Sequence, residues 1–112
     1  MSIYNLDNLK EMAEGDEVFL KEMLKTFIEE LPEDVAAMND AIDNHNAVLT
    51  YQIAHKMKPN LKIFGLHLDE NVKRLEHWSK SDLKKDDVMK DAREIESTVL
   101  TVCNELKRDY NL

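Results

Sequence analysis

His55 stands in the run Tyr51-Gln52-Ile53-Ala54-His55-Lys56-Met57-Lys58-Pro59, with Lys62 three residues beyond it. A neutral imidazole carries a nitrogen lone pair near pH 7 and can take up a phosphoryl group through a nitrogen–phosphorus bond. The ammonium groups of Lys56, Lys58 and Lys62 would attract the incoming phosphate and face the dianion once it is bound. Residues 44 to 68 contain no Asp or Glu, although by composition those positions would hold about five. The pattern predicts a surface kept clear for a negatively charged group, with His55 as its nucleophile.

Other chemistry has less to build on. His45 falls in a turn, His67 near a helix start and His77 on a helix. None makes an i, i+4 pair with another histidine or a cysteine, so no metal site is expected. Cys103 is the only cysteine, which precludes an internal disulfide or a multi-cysteine zinc site and predicts a packed thiol. Gly15 and Gly65 stand fifty residues apart, so there is no glycine-rich loop to cradle ATP phosphates. Neither autonomous kinase activity nor a cofactor of its own is expected. A net charge of −8 repels nucleic-acid phosphates and anionic lipid surfaces. There is no basic segment leading into an apolar run near the start, and no stretch of about 18 apolar residues, so a cytoplasmic location without membrane contact is expected.

The elements that must position His55 are helical. The chain has 112 residues, 43% of them hydrophobic, with two glycines and two prolines, which fits one domain over residues 1–112 with a real core and few strand-and-turn signals. A short helix over Leu6 to Glu14 ends at Gly15, and Asp16 caps the next. There Leu20, Leu24, Phe27, Leu31, Val35, Met38 and Ile42 form one stripe, with a kink or restart expected at Pro32. After a turn at Asn44-His45-Asn46, a third stripe of Leu49, Ile53, Met57, Leu61 and Phe64 ends near Gly65. A fourth, shorter helix carries Leu68, Val72 and Leu75, with Trp78 near its end. A polar loop over Ser79 to Asp87, its Lys84-Lys85 read as solvated charge, leads to a last helix. That helix carries Val88, Ala92, Ile95, Val99, Val102 and Leu106, extended by Cys103 and Tyr110. The predicted fold is an all-α, antiparallel up-down four-helix bundle with a short additional N-terminal helix. Leu24, Phe27, Ile53, Met57, Phe64, Ile95 and Val99 are expected inside it, and the protein is expected to be a monomer.

At about 100° per residue, His55 faces away from Ile53, Met57 and Phe64 and should reach solvent. Tyr51, Gln52, Lys58, Pro59 and Lys62 share its outer face, Lys56 lies toward the flank, and Val48, Ile63 and Leu66 add apolar area on or near that side. Apolar contacts around a basic centre suit docking of a protein that bears a phosphorylated side chain.

The run Ala54-His55-Lys56-Met57-Lys58-Pro59, with Gly65 ten positions after the histidine, resembles the signature of histidine-containing phosphotransfer domains, in which His-x-Leu-Lys-Gly and a later Gly recur. Asp16-Glu17-Val18-Phe19-Leu20, Phe27 to Leu31, the helix end near Ile42 and the Leu75-Glu76 pair are similar to the family's surroundings. The resemblance spans about residues 6 to 78, and the final helix matches only in periodicity. It implies that His55 is the phospho-acceptor, that Lys58 lies near the phosphoryl group and that Gly65 is the small residue near the helix end. It also implies a phosphorelay carrier exchanging phosphoryl groups with receiver domains of response regulators and hybrid histidine kinases, with Mg²⁺ held by the receiver. Two departures stand out. Pro59 replaces the usual glycine and removes the amide that would bond the His55 carbonyl. The family's ring-orienting Gln or Glu maps to either Glu76 or His77. A helical interaction scaffold without chemistry is the rival from another class, and a histidine-bearing metal carrier is a weaker one.

Overall fold

The carboxylate of Asp16 accepts the Phe19 N–H at 3.1 Å, and from this cap the longest helix of the molecule begins. A computed structural model describes residues 4–112. Among them it contains five α-helices, a short 3₁₀ turn and no strand. They are α1 Asp7–Ala13, α2 Glu17–Asp43, α3 Ala47–Ile63, α4 Asp69–Glu76 and α5 Lys85–Asp109, with the 3₁₀ turn at Trp78–Lys80. The polar loop expected over Ser79 to Asp87 is therefore shorter than predicted. Asp87 is already in the first turn of α5, where its carboxylate accepts the Lys84 N–H at 2.9 Å.

Of the kink or restart expected at Pro32, the restart does not occur: α2 runs through the proline as one helix. Proline denies the Ile28 carbonyl its usual donor, yet Phe27, Leu31, Val35 and Met38 are all buried on either side of it. Burial of an in-phase stripe offsets the lost hydrogen bond. α2 packs against α1, α3 and α5, while α4 bridges α3 and α5. Lys56 meets Asp34 and Phe27 meets Phe64, so α2 and α3 run in opposite directions. Asn39 meets Glu96 and Lys85 meets Asp43, which gives the same relation for α2 and α5. Lys85 is not merely solvated charge: its Nζ donates to the Asp43 carbonyl at 3.1 Å and completes the C-terminal end of α2.

One apolar core joins all five helices, from Leu9 and Leu24 to Val99 and Leu106. Within it the rings of Phe27 and Phe64 pack with centroids 3.7 Å apart. Cys103 is also buried in this core, and burial pushes its thiol pKa above the ordinary value, as expected when the charged form is desolvated. Where α4 meets α5, the buried Asp91 carboxylate accepts both from Asn71 and from the guanidinium of Arg74. That pairing meets the requirement for a buried charge. Among the described residues no helix is long and apolar enough to cross a membrane.

Candidate functional site

α3 carries His55, and the local sequence sets its orientation. Asn46 caps the helix by accepting the Leu49 N–H at 3.0 Å, and Thr50, Ala54, Met57 and Leu61 form the buried stripe. This differs from the predicted stripe: Leu49 is 39% exposed and Ile53 is only partly buried. Leu49, Ile53, Met57 and Leu61 are separated by steps of four, and each such step turns about 40° beyond a full circle. Three steps carry Leu49 about 120° from Leu61, too far for one face. Thr50 takes the inward position because its hydroxyl donates to the Asn46 carbonyl at 2.8 Å, which satisfies the polar group that burial would otherwise leave unpaired.

The imidazole of His55 is 64% exposed, and its Nδ1 lies 3.2 Å from Oε2 of Glu76. Glu76, at the end of α4, is only 9% exposed, and its other oxygen lies 3.4 Å from Nζ of Lys58. One nearly buried carboxylate thus serves both the ring and the lysine. With Nδ1 donating its proton to Glu76, the lone pair belongs to Nε2, the nitrogen that is left for a reactant. Tyr51, one turn earlier, stacks on the imidazole with ring centroids 5.7 Å apart and planes 8° from parallel. His77 is exposed at the cap of α4, so of the two candidates it is Glu76 that meets the ring.

Comparison with family models, curated proteins and solved structures gives no match.

Tyr51, His55, Lys58 and Lys62 follow one another at steps of four, three and four and form a row along α3. Lys62 is exposed and makes no ion pair among the described residues. Lys56 turns to the opposite flank, where Nζ lies 2.9 Å from Oδ1 of the buried Asp34. That hydrogen bond and the charge of Asp34 raise the Lys56 pKa, with Glu30 and Glu33 adding to it. The acid-free stretch in the sequence is therefore not acid-free in space, because Glu76 and Asp34 arrive from α4 and α2.

The expected apolar surround is partly present. Val48, Gln52 and Pro59 are exposed beside Tyr51 and His55, whereas the exposed Leu49 lies toward the flank of Lys56. Ile63 is half-buried against the core. Leu66 does not belong to the surface, being 6% exposed. Its N–H bonds the Leu61 carbonyl at 3.3 Å while that of Gly65 bonds Lys62 at 2.9 Å. In this helix-ending turn, Gly65 takes φ +64° and the next residue folds back onto the helix. Gly65 serves the turn in a second way: a Cβ there would stand 3.0 Å from Cβ of Asn5, whose N–H bonds the Phe64 carbonyl at 2.8 Å. Sequence reasoning missed Asp34 and the exposure of Leu49. The first carries no local signal, and the second was open to the angular argument above. No group of three or more His, Cys, Asp or Glu side chains that could hold a metal occurs among the described residues.

Proposed function

We propose that this chain is a histidine-phosphotransfer protein in which His55 accepts a phosphoryl group from an aspartyl phosphate of one receiver domain and passes it to an aspartate of another. The single observation carrying this reading is the exposed imidazole whose Nδ1 is held by Glu76 while Lys58 shares the same carboxylate. Nε2 attacks phosphorus in line with the departing oxygen, a nitrogen–phosphorus bond forms, and the aspartate leaves as a carboxylate. Nδ1 keeps its proton. The positive charge that the ring acquires develops against Glu76, which stabilises it. Lys58 and Lys62 lie along α3 on the side of the incoming phosphate and offset its charge. Val48, Gln52 and Pro59 supply contact area for the receiver.

In this reading α2, α3, α4 with its following turn, and α5 make an antiparallel up-down four-helix bundle across which α1 lies at one end. Residues 1–112 act as one cytoplasmic, monomeric phosphotransfer domain without an ATP site, and Mg²⁺ belongs to the receiver. The resemblance around His55 supports the same assignment. The exposed Val48 and Leu49 would equally serve a docking scaffold without chemistry, and one experiment separates the two. Receiver domains from the source organism, phosphorylated with a small phosphoryl donor and mixed with this protein and Mg²⁺, should transfer label to it as acid-labile, alkali-stable phosphohistidine. Receiver binding without label would leave the scaffold.

A further inference from the structure

Resting on that reading of His55, we infer that Tyr51 is a positioning residue whose ring fixes the plane of the imidazole and hence the direction of the Nε2 lone pair. Glu76 holds the ring at one atom, and a single hydrogen bond leaves the ring free to swing about it. The face of Tyr51, 8° from parallel at a centroid separation of 5.7 Å, opposes that swing. The separation lies within the range of favourable offset stacking. Position i−4 on the same helix places the two side chains one above the other. A point contact and a plane contact together define an orientation that neither defines alone.

Core packing does not explain Tyr51. It is 45% exposed, and neither the buried core nor the residues packed against it include it. Docking would explain an exposed tyrosine but does not require its ring to lie parallel to the imidazole. Orientation of a reacting group governs the rate within a docked complex, whereas contact area governs how tightly the complex forms.

The test follows from that difference. Single-turnover transfer from a phosphorylated receiver is measured over receiver concentration for Tyr51→Ala, Tyr51→Leu and Tyr51→Phe. Tyr51→Ala and Tyr51→Leu are expected to lower the maximal rate about tenfold, which is about 1.4 kcal/mol of barrier, with the half-saturating concentration changed less than about threefold. Tyr51→Phe is expected to restore the maximal rate. Weakened half-saturation with an unchanged maximal rate would overturn the proposal and make Tyr51 a docking residue. The His55 ring protons, observed by NMR in the protein alone, give a readout independent of transfer. They should be shifted upfield by the stacked ring in the wild type and in Tyr51→Phe, and lose that shift in Tyr51→Leu. Absence of the shift in the wild type overturns the proposal. Its presence in a protein that takes no phosphoryl group overturns phosphotransfer while leaving the ring contact standing.

Discussion

The Oε2 atom of Glu76 stands 3.2 Å from Nδ1 of His55 although the two residues are 21 positions apart and on different helices. α3 presents the ring to solvent and α4 brings a nearly buried carboxylate beneath it, so the protein spends a desolvated charge on orienting one exposed side chain. Such a carboxylate is tolerated only when its partners are in place.

Glu76→Gln tests that arrangement. The amide oxygen can still accept the Nδ1 proton, but the charge facing the ring is gone. Transfer at saturating receiver should slow about tenfold, since a hydrogen bond to a charged group exceeds a neutral one by about 1 to 1.5 kcal/mol. An unchanged rate would remove Glu76 from the chemistry.

Lys58 and Lys56 should separate cleanly. Lys58→Ala is expected to slow transfer or shorten the phosphohistidine lifetime at low ionic strength without unfolding the protein. Lys56→Ala is expected to leave transfer nearly unchanged and to lower thermal stability, because it strips the buried Asp34 of its partner. The pairing raises the Lys56 pKa above 10.5. The stability it contributes is therefore full below the ordinary lysine value and lost as pH rises through the raised one. Melting temperatures of wild type and Lys56→Ala should converge in that alkaline window. A constant gap would contradict the assignment.

Phe27 and Phe64 pack α2 against the C-terminal end of α3. Truncating either to Ala should cost about 3 to 5 kcal/mol in denaturant unfolding followed by circular dichroism, because a large cavity is left in a packed core. Loss of less than about 1 kcal/mol would mean the rings are not packed as described.

Helix positions were legible in the sequence because caps and stripes are local. Asp16, Asn46, Gly65 and the α5 stripe each sit within two residues of an observed helix boundary or on an observed buried face. The row from Tyr51 to Lys62 was legible for the same reason, since helical spacing determines it. What was not legible depended on contacts between helices or on geometry beyond a helix end. The pairing of Lys56 with Asp34 requires knowing that α2 lies beside α3. The choice of Glu76 over His77 requires the rotation of α4. Leu66 lies past the left-handed turn at Gly65, where a helical wheel no longer describes direction.

Pro59 lies within α3 and leaves the His55 carbonyl without its helical donor. Pro59→Ala restores that bond and should stabilise the protein by up to about 3 kcal/mol. The exposed ring also borders His55, so the substitution should weaken receiver binding in a titration. Greater stability with unaltered binding would show that the proline has no part in docking.

The central claim is tested most directly at His55 itself. His55→Gln keeps a polar side chain but replaces the ring nitrogen with an amide nitrogen whose lone pair is delocalised and cannot usefully attack phosphorus. Because the side chain is exposed, the fold should lose well under about 1 kcal/mol, and receiver binding should persist. His45→Gln, His67→Gln and His77→Gln serve as controls. After incubation with a phosphorylated receiver and Mg²⁺, each control should carry an acid-labile phosphohistidine label and His55→Gln should carry none. A label that persists in His55→Gln would place the phosphoryl group elsewhere and contradict the account.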